Sequence, residues 1–157
     1  MDITRKNDIV IFLATGCFTG FLPKMPGTWG TFAAIPIVII THRTTTTVQT
    51  VTAVIFVSFA AWIAGRAEIL FEGRDARPIV IDEMVGFLIT LLWLPLNFLT
   101  LCLGFFLFRL FDIVKPPPIS TVEELLQSGW GVVMDDVLAG IFANVTLRLL
   151  LIVAGLL

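Results

Sequence analysis

GWGVVMDDVLAGIFANVTLRLLLIVAGLL, residues 129–157, places two adjacent carboxylates at the start of a long apolar run. The run, residues 137–157, carries one charged side chain, Arg148. At about 1.5 Å per residue, a helix of this length crosses a hydrocarbon core roughly 30 Å thick. Because ionised groups at the edge of hydrocarbon are costly, Asp135 and Asp136 need a cation, a helix cap or a function to hold them there. The stretch therefore predicts a membrane helix beside a polar site.

The composition of the whole chain also indicates a membrane protein. Of its 157 residues, 57% are apolar and 14% are charged, whereas about a quarter of an average soluble domain is charged. The length predicts a single membrane-embedded domain over residues 1–157. With a net charge of −2 the chain has no basic stripe for phosphate backbones, so nucleic acid is excluded as a partner.

Five further apolar segments precede the last one. They show no alternation with a period of two and are too long for barrel strands, so strands are not expected. The sequence predicts an all-α fold, a compact helical integral membrane protein of about four to six helices. Since the shortest segments cannot cross a bilayer alone, we expect half-inserted or buried helices beside the true spans. The five segments are residues 9–22, 29–41, 48–64, 84–94 and 98–111.

The basic residues predict an orientation in the membrane. If residues 29–41 cross outward and residues 48–64 cross back, most cations lie on one side, and only His42 and Arg43 lie opposite. By the positive-inside rule the crowded side is cytoplasmic. The same arrangement gathers the candidate carboxylates at that face. The cations are Lys24, Arg66, Arg74, Arg77, Arg109 and Lys115, and the acids are Asp75, Asp82, Glu83, Asp112, Asp135 and Asp136.

Two acidic pairs stand at predicted helix starts, Asp82-Glu83 before residue 84 and Asp135-Asp136 before residue 137. One interpretation is capping, in which a carboxylate accepts free backbone N–H groups and stabilises the helix by about 0.5 to 2 kcal/mol. One acid suffices for a cap, and two adjacent acids repel each other. The second interpretation therefore adds a divalent metal ion with hard oxygen ligands.

A glycine follows each acidic pair by about one helical turn, Gly86 in the first case and Gly140 in the second. Glycine has no side chain and so allows two helix backbones to approach closely. A crossing of the two helices near these glycines would bring the four carboxylates together. The pattern therefore predicts one acidic site built from both pairs.

Capping does not explain Asp112. This residue follows the segment 98–111, at the helix end where the dipole disfavours an anion. In one interpretation it forms a weak surface ion pair with Arg109 or Lys115, each three residues away. In the other, Asp112 is a metal ligand or general base, and Arg109 and Lys115 are cations that bind a phosphate group.

Lys24 and Thr28 belong to the loop PKMPGT, residues 23–28, whose prolines and glycine interrupt any helix. The loop is either an interfacial segment with a snorkelling lysine or an anion-binding loop at the start of the next helix. Histidine-based catalysis is excluded, because the single histidine is predicted on the opposite side. Oxygen-ligand chemistry with Mg²⁺ remains.

Four motifs in this order resemble the phosphatidylglycerophosphatase A family. They are LPKMPGTWG at 22–30, Asp75 followed by IVIDEMVG at 79–86, FRLFDIVKP at 108–116, and GVVMDD at 131–136 followed by Ala139-Gly140. The resemblance runs from about residue 16 to about residue 155. It departs from the family pattern at Arg77-Pro78, where polar residues are expected.

The resemblance implies a Mg²⁺-dependent hydrolase, a lipid phosphatase of phospholipid biosynthesis that converts phosphatidylglycerophosphate to phosphatidylglycerol and phosphate. It implies a multi-pass protein of the bacterial inner (cytoplasmic) membrane, with its active site facing the cytoplasm. Asp112 and Asp136 would be catalytic, and Asp112 would orient or deprotonate the attacking water. The metal ligands would be Asp82, Glu83, Asp135 and Asp136, and the substrate-binding residues would be Lys24, Thr28, Arg109 and Lys115.

Two alternatives stay open at this point. An aspartate could attack the phosphorus directly and form a phosphoenzyme. In a different class, the chain could be a small membrane cation transporter that uses interfacial carboxylates as a transit site. A transporter needs acids near the middle of the bilayer, whereas these are predicted at helix ends on one side.

Overall fold

The computed structural model describes residues 3–73, 75–126 and 128–157, without the side chains of residues 3–5 and 123–125. Arg74, one of the predicted cytoplasmic cations, lies outside these ranges. Within them the chain forms seven α-helices and no strand, so the all-α prediction is confirmed. The helices are α1 (Ile3–Ala14), α2 (Pro26–His42), α3 (Thr46–Leu70), α4 (Ile81–Leu91), α5 (Phe98–Val114), α6 (Ile119–Leu125) and α7 (Gly129–Val153).

The described part of the chain has more helices than the four to six expected. The additional one is α6, seven residues that follow Pro118 in a stretch with no long apolar run. Its carboxyl-terminal neighbour α7 begins at Gly129 rather than near Val137. The early start is possible because Gly129 packs against α3, where an added Cβ would lie 2.0 Å from the Ala61 carbonyl oxygen. Asp135 and Asp136 therefore lie inside α7, and capping cannot explain them.

The short helix α4 forms the centre of the bundle. Nearly all its side chains are buried, including Val85, Phe87 and Leu88, so it is a core helix rather than a surface one. Helix α2 runs parallel to it, because Gly27 lies beside Glu83 at the start of α4 and His42 Nε2 lies 2.9 Å from the Leu91 oxygen at its end. The burial and the eleven-residue length of α4 confirm the expectation of a buried helix too short to span a membrane.

Helices α4 and α7 cross with their backbones in contact. A Cβ on Gly140 would lie 2.4 Å from the Gly86 carbonyl oxygen, and a Cβ on Gly86 would lie 2.6 Å from the Asp136 carbonyl oxygen. The predicted crossing at the two glycines is therefore present. One turn further along α7, Asn144 Nδ2 lies 2.9 to 3.3 Å from three carbonyl oxygens at the end of α4, those of Ile89, Thr90 and Leu92.

Among the described helices, α3 and α7 are long and apolar enough to cross a membrane, with mean hydropathies of 1.8 and 1.9 over their most apolar windows. Both present apolar side chains outward, for example Val54 and Ile55 on α3 and Val153 on α7. Helix α5 runs antiparallel to α4, since Gly104 lies against Leu91 and Arg109 lies near Glu83. One end of the bundle thus collects the starts of α2, α4 and α7 and the end of α5.

Candidate active site

Three carboxylates converge at this end of the bundle. Asp82 and Glu83 come from the first turn of α4, and Asp136 comes from α7 just before its crossing with α4. One oxygen from each lies within 4.8 Å of the others. Asp82 Oδ1 also accepts a hydrogen bond of 3.0 Å from the Glu83 backbone N–H, so it satisfies a free donor of the first helical turn. The geometry matches the spacing of ligands around one cation.

Burial makes these carboxyl groups weaker acids than usual. Removal from water raises the pKa of Glu83 from 4.5 to about 8; the charges of Asp136 and Asp112 raise the pKa further, whereas the hydrogen bond with Asp82 and the charge of Arg109 lower it. Burial, reinforced by the Glu83 charge, also raises the pKa of Asp82 well above its ordinary value. The Glu83 Oε2 atom is buried and has no hydrogen-bond partner in the described chain. An acid cluster with an unpaired buried oxygen is the donor set that a hard divalent cation satisfies.

Arg109 links this cluster to Asp112. Its Nη1 atom lies 3.7 Å from Glu83 Oε1 and makes an ion pair with Asp112 Oδ2. The ion pair that the sequence suggested as one interpretation of Asp112 is therefore present, but its side chains are only 13% and 16% exposed, so it is not a surface pair. The Arg109 Nε atom is buried without a hydrogen-bond acceptor among the described residues. It remains a donor for another anion.

Lys115 and Asp135 form a second ion pair at the same end, with Nζ and Oδ2 2.5 Å apart. Asp135 thus faces the end of α5 and is not part of the three-carboxylate group. Its neighbour Asp136, one residue further along α7, is part of it. The structure therefore separates the two adjacent acids, one toward a lysine and the other toward Asp82 and Glu83.

The first turn of α2 lies directly over the Glu83-Arg109 contact. A Cβ on Gly27 would lie 2.0 Å from Glu83 Oε1 and 2.8 Å from Arg109 Nη1. The hydroxyl of the next residue, Thr28, is buried and has no hydrogen-bond partner in the described chain. Lys24 lies exposed in the loop before α2, with a left-handed backbone, and forms no ion pair with a described acid.

The structure thus brings together eight of the nine sequence-predicted site residues at one end of the bundle, and the ninth, Lys24, lies in the loop before α2. Two contacting residues were not predicted. Gly27 permits the approach of α2 to Glu83, and its signal was the Pro-Gly pair that opens the helix. Asn144 ties α7 to the end of α4, and its signal was a lone amide in an apolar run, eight residues after Asp136 on the same helix face.

The profile of the family described as Phosphatidylglycerophosphatase A matches residues 12–151. The chain belongs to this family. It is 33% identical over 134 residues to phosphatidylglycerophosphatase A of Haemophilus influenzae, covering 83% of this chain and 82% of that one. It is 30% identical over 132 residues to the Escherichia coli enzyme of that name, covering 83% and 77%.

Family membership confirms the enzyme class predicted from the motifs, a phosphoric monoester hydrolase that acts on lipid, and it does not favour the cation transporter. A further relative, from Bacteroides thetaiotaomicron, is 35% identical over 147 residues, or 88% of this chain and 91% of that one. The name of that relative proposes a phosphatidylinositol-3-phosphatase. No solved structure matches the chain.

Proposed function

We propose that the protein hydrolyses the terminal phosphate of phosphatidylglycerophosphate with the aid of Mg²⁺, at the cytoplasmic face of a bacterial inner membrane. The observation that carries the proposal is the convergence of Asp82, Glu83 and Asp136 within 4.8 Å, beside Arg109. A carboxylate cluster next to cations suits a metal ion and a phosphate group bound side by side. The family relationship supplies the lipid class of the substrate.

Asp82, Glu83 and Asp136 would hold the magnesium ion. They fit it because all three offer hard oxygen atoms and because Glu83 Oε2 is buried without a partner in the described chain. When bound, Mg²⁺ would offset the charge of the phosphate oxygens and lower the pKa of a bound water. Asp135 stays a predicted ligand whose oxygen Oδ2 is held by Lys115, so it would contribute through its other oxygen or through water.

Asp112 would accept the proton of the attacking water. The water oxygen then bonds to phosphorus, the bond from phosphorus to the glycerol oxygen breaks, and that oxygen takes up a proton as the alcohol leaves. Arg109 holds the Asp112 carboxylate by its ion pair and so fixes the orientation of the base. The competing route, in which an aspartate attacks phosphorus, would expel the glycerol oxygen and form an aspartyl phosphate that water then hydrolyses.

Buried donors would bind the phosphate oxygens. Arg109 Nε and the Thr28 hydroxyl are both buried and lack acceptors in the described chain, and an unpaired buried donor costs about 1 to 3 kcal/mol. A phosphate group would satisfy both. Lys115 and the exposed Lys24 would add positive charge at the rim of the site, where a head group arrives from the membrane surface.

The membrane location is supported by α3 and α7, which would cross the bilayer and leave the lipid tails in it. Arg66 and Arg77 lie toward the active-site end of the bundle, whereas His42 and Arg43 end α2 at the opposite end. Labelling from outside intact cells tests this orientation. In a protein with Cys17 and Cys102 replaced by Ala, Arg43→Cys should react and Arg77→Cys should not; reaction of Arg77→Cys alone would invert the orientation.

Phosphate release by the purified protein tests the activity. Phosphatidylglycerophosphate should be hydrolysed, EDTA should stop turnover, and added Mg²⁺ should restore it. Asp136→Asn should lower the rate by at least about 100-fold while the protein remains folded. Because one relative is named for another head group, phosphatidylinositol 3-phosphate belongs in the same assay. Faster turnover of that lipid would make it the preferred substrate in place of phosphatidylglycerophosphate. Turnover that EDTA does not change would contradict the requirement for a metal ion.

A further inference from the structure

A groove separate from the carboxylate site lies between α1 and α3. Its volume is about 560 Å³, within the range of about 300 to 1,000 Å³ typical of small-molecule sites. Its floor is apolar, formed by side chains that include Val10 and Leu13 of α1 and Ile63 of α3. None of the residues that line it belongs to the candidate active site. The floor has the length of two facing helical turns and suits a hydrocarbon chain rather than a polar metabolite.

Two cations lie at the rim of this groove, Lys6 of α1 and Arg66 of α3. Both are exposed, and neither forms an ion pair with a carboxylate that the structure describes. The Arg66 guanidinium carbon lies 5.9 Å from the centroid of the Trp62 ring, which also lines the groove. The cation–π contact leaves the guanidinium N–H groups available in the plane of the group for an anion.

We propose that this groove binds a membrane phospholipid with a net negative head group, with an acyl chain on the apolar floor and the phosphate between Lys6 and Arg66. The inference rests on the membrane location proposed above. Basic pockets between helices on the cytoplasmic side favour acidic head groups. A zwitterionic lipid carries its own ammonium group beside the phosphate and loses much of this attraction. Trp62 is exposed beside the groove, and tryptophan is enriched at membrane–water interfaces.

The test uses Trp62 as the reporter. Trp29, Trp93 and Trp130 are replaced by Phe, and the full-length protein is reconstituted, with EDTA present, in phosphatidylcholine vesicles containing a small fraction of brominated lipid. At equal mole fraction, brominated phosphatidylglycerol should quench Trp62 more strongly than brominated phosphatidylcholine. Equal quenching by the two lipids would overturn the proposal, because the groove would then contain ordinary bilayer lipid.

Charge variants assign the preference to the groove. Lys6→Gln and Arg66→Gln should each lower the preference for phosphatidylglycerol over phosphatidylcholine by about fivefold. This is the effect of about 1 kcal/mol per basic residue near an anionic surface. Arg148→Gln, which changes a cation on α7 outside the groove, should leave it unchanged. A preference that survives in the Lys6→Gln/Arg66→Gln double variant would place the lipid elsewhere. Since quenching needs no turnover, an inactive protein still reports on the groove, and absence of quenching by both lipids would reject the membrane location itself.

Discussion

Gly140 lies against Gly86, so close that a Cβ on Gly140 would be 2.4 Å from the Gly86 carbonyl oxygen. The obstacle is backbone and cannot rotate away. Gly140→Ala must therefore push α7 away from α4, at a cost of about 1 to 3 kcal/mol, and separate Asp136 from Asp82 and Glu83. We expect a lower unfolding temperature and weaker Mg²⁺ binding in detergent. Gly73→Ala is the matched control, since its nearest neighbouring atom is 3.8 Å away.

Asn144 holds the same two helices together one turn further along. Its amide has two hydrogens for three carbonyl oxygens of α4, so the hydrogen bonds are shared. Asn144→Leu should remove the side-chain donor from these carbonyls and destabilise the protein by about 1 to 3 kcal/mol. Because α4 then loses its register against α7, Mg²⁺ affinity should fall as well. Val145→Leu, on the outward face of α7, should change neither the stability nor the Mg²⁺ affinity. Unchanged Mg²⁺ binding in Asn144→Leu would limit Asn144 to a structural role.

Much of this arrangement follows from local sequence. Six apolar runs predicted six of the seven helices that the structure describes, and the glycine after each acidic pair predicted the crossing of α4 and α7. The start of α7 did not follow, because it depends on the packing of Gly129 against α3, a contact distant in sequence. The separation of Asp135 from Asp136 did not follow either. It depends on Lys115, whose left-handed backbone ends α5.

Gly27→Ala tests the position of Glu83. An Ala at this place in the first turn of α2 favours the helix, yet its Cβ would lie 2.0 Å from Glu83 Oε1. The carboxylate must move, so Mg²⁺ affinity and phosphatase activity should fall by about 10- to 100-fold with no loss of thermal stability. Glu83→Asp in the same chain shortens the side chain and should recover part of the loss. Wild-type Mg²⁺ affinity in Gly27→Ala would place Glu83 outside the metal site.

The acidity of Glu83 predicts how Mg²⁺ binding depends on pH. Below its pKa of about 8 the buried carboxyl group holds a proton, which the metal must displace. Affinity should therefore rise by at least about tenfold per pH unit between pH 6 and 8 and then level off. The stability of the metal-free protein changes with pH in the opposite direction. Its folded state holds a proton that the unfolded chain loses above about pH 4.5, so its stability falls as pH rises toward 8.

Thermal unfolding in detergent, measured with and without Mg²⁺ at pH 6, 7, 8 and 9, reports both effects at once. The stabilisation by Mg²⁺ should grow across this series up to pH 8, since the metal gains affinity while the metal-free protein loses stability. In Glu83→Gln the position cannot ionise, so the slope of log affinity against pH should decrease by about one. An affinity that stays constant from pH 6 to pH 8 in the unmodified protein would mean that no protonated carboxyl group opposes the metal, and Glu83 would then not be among its ligands.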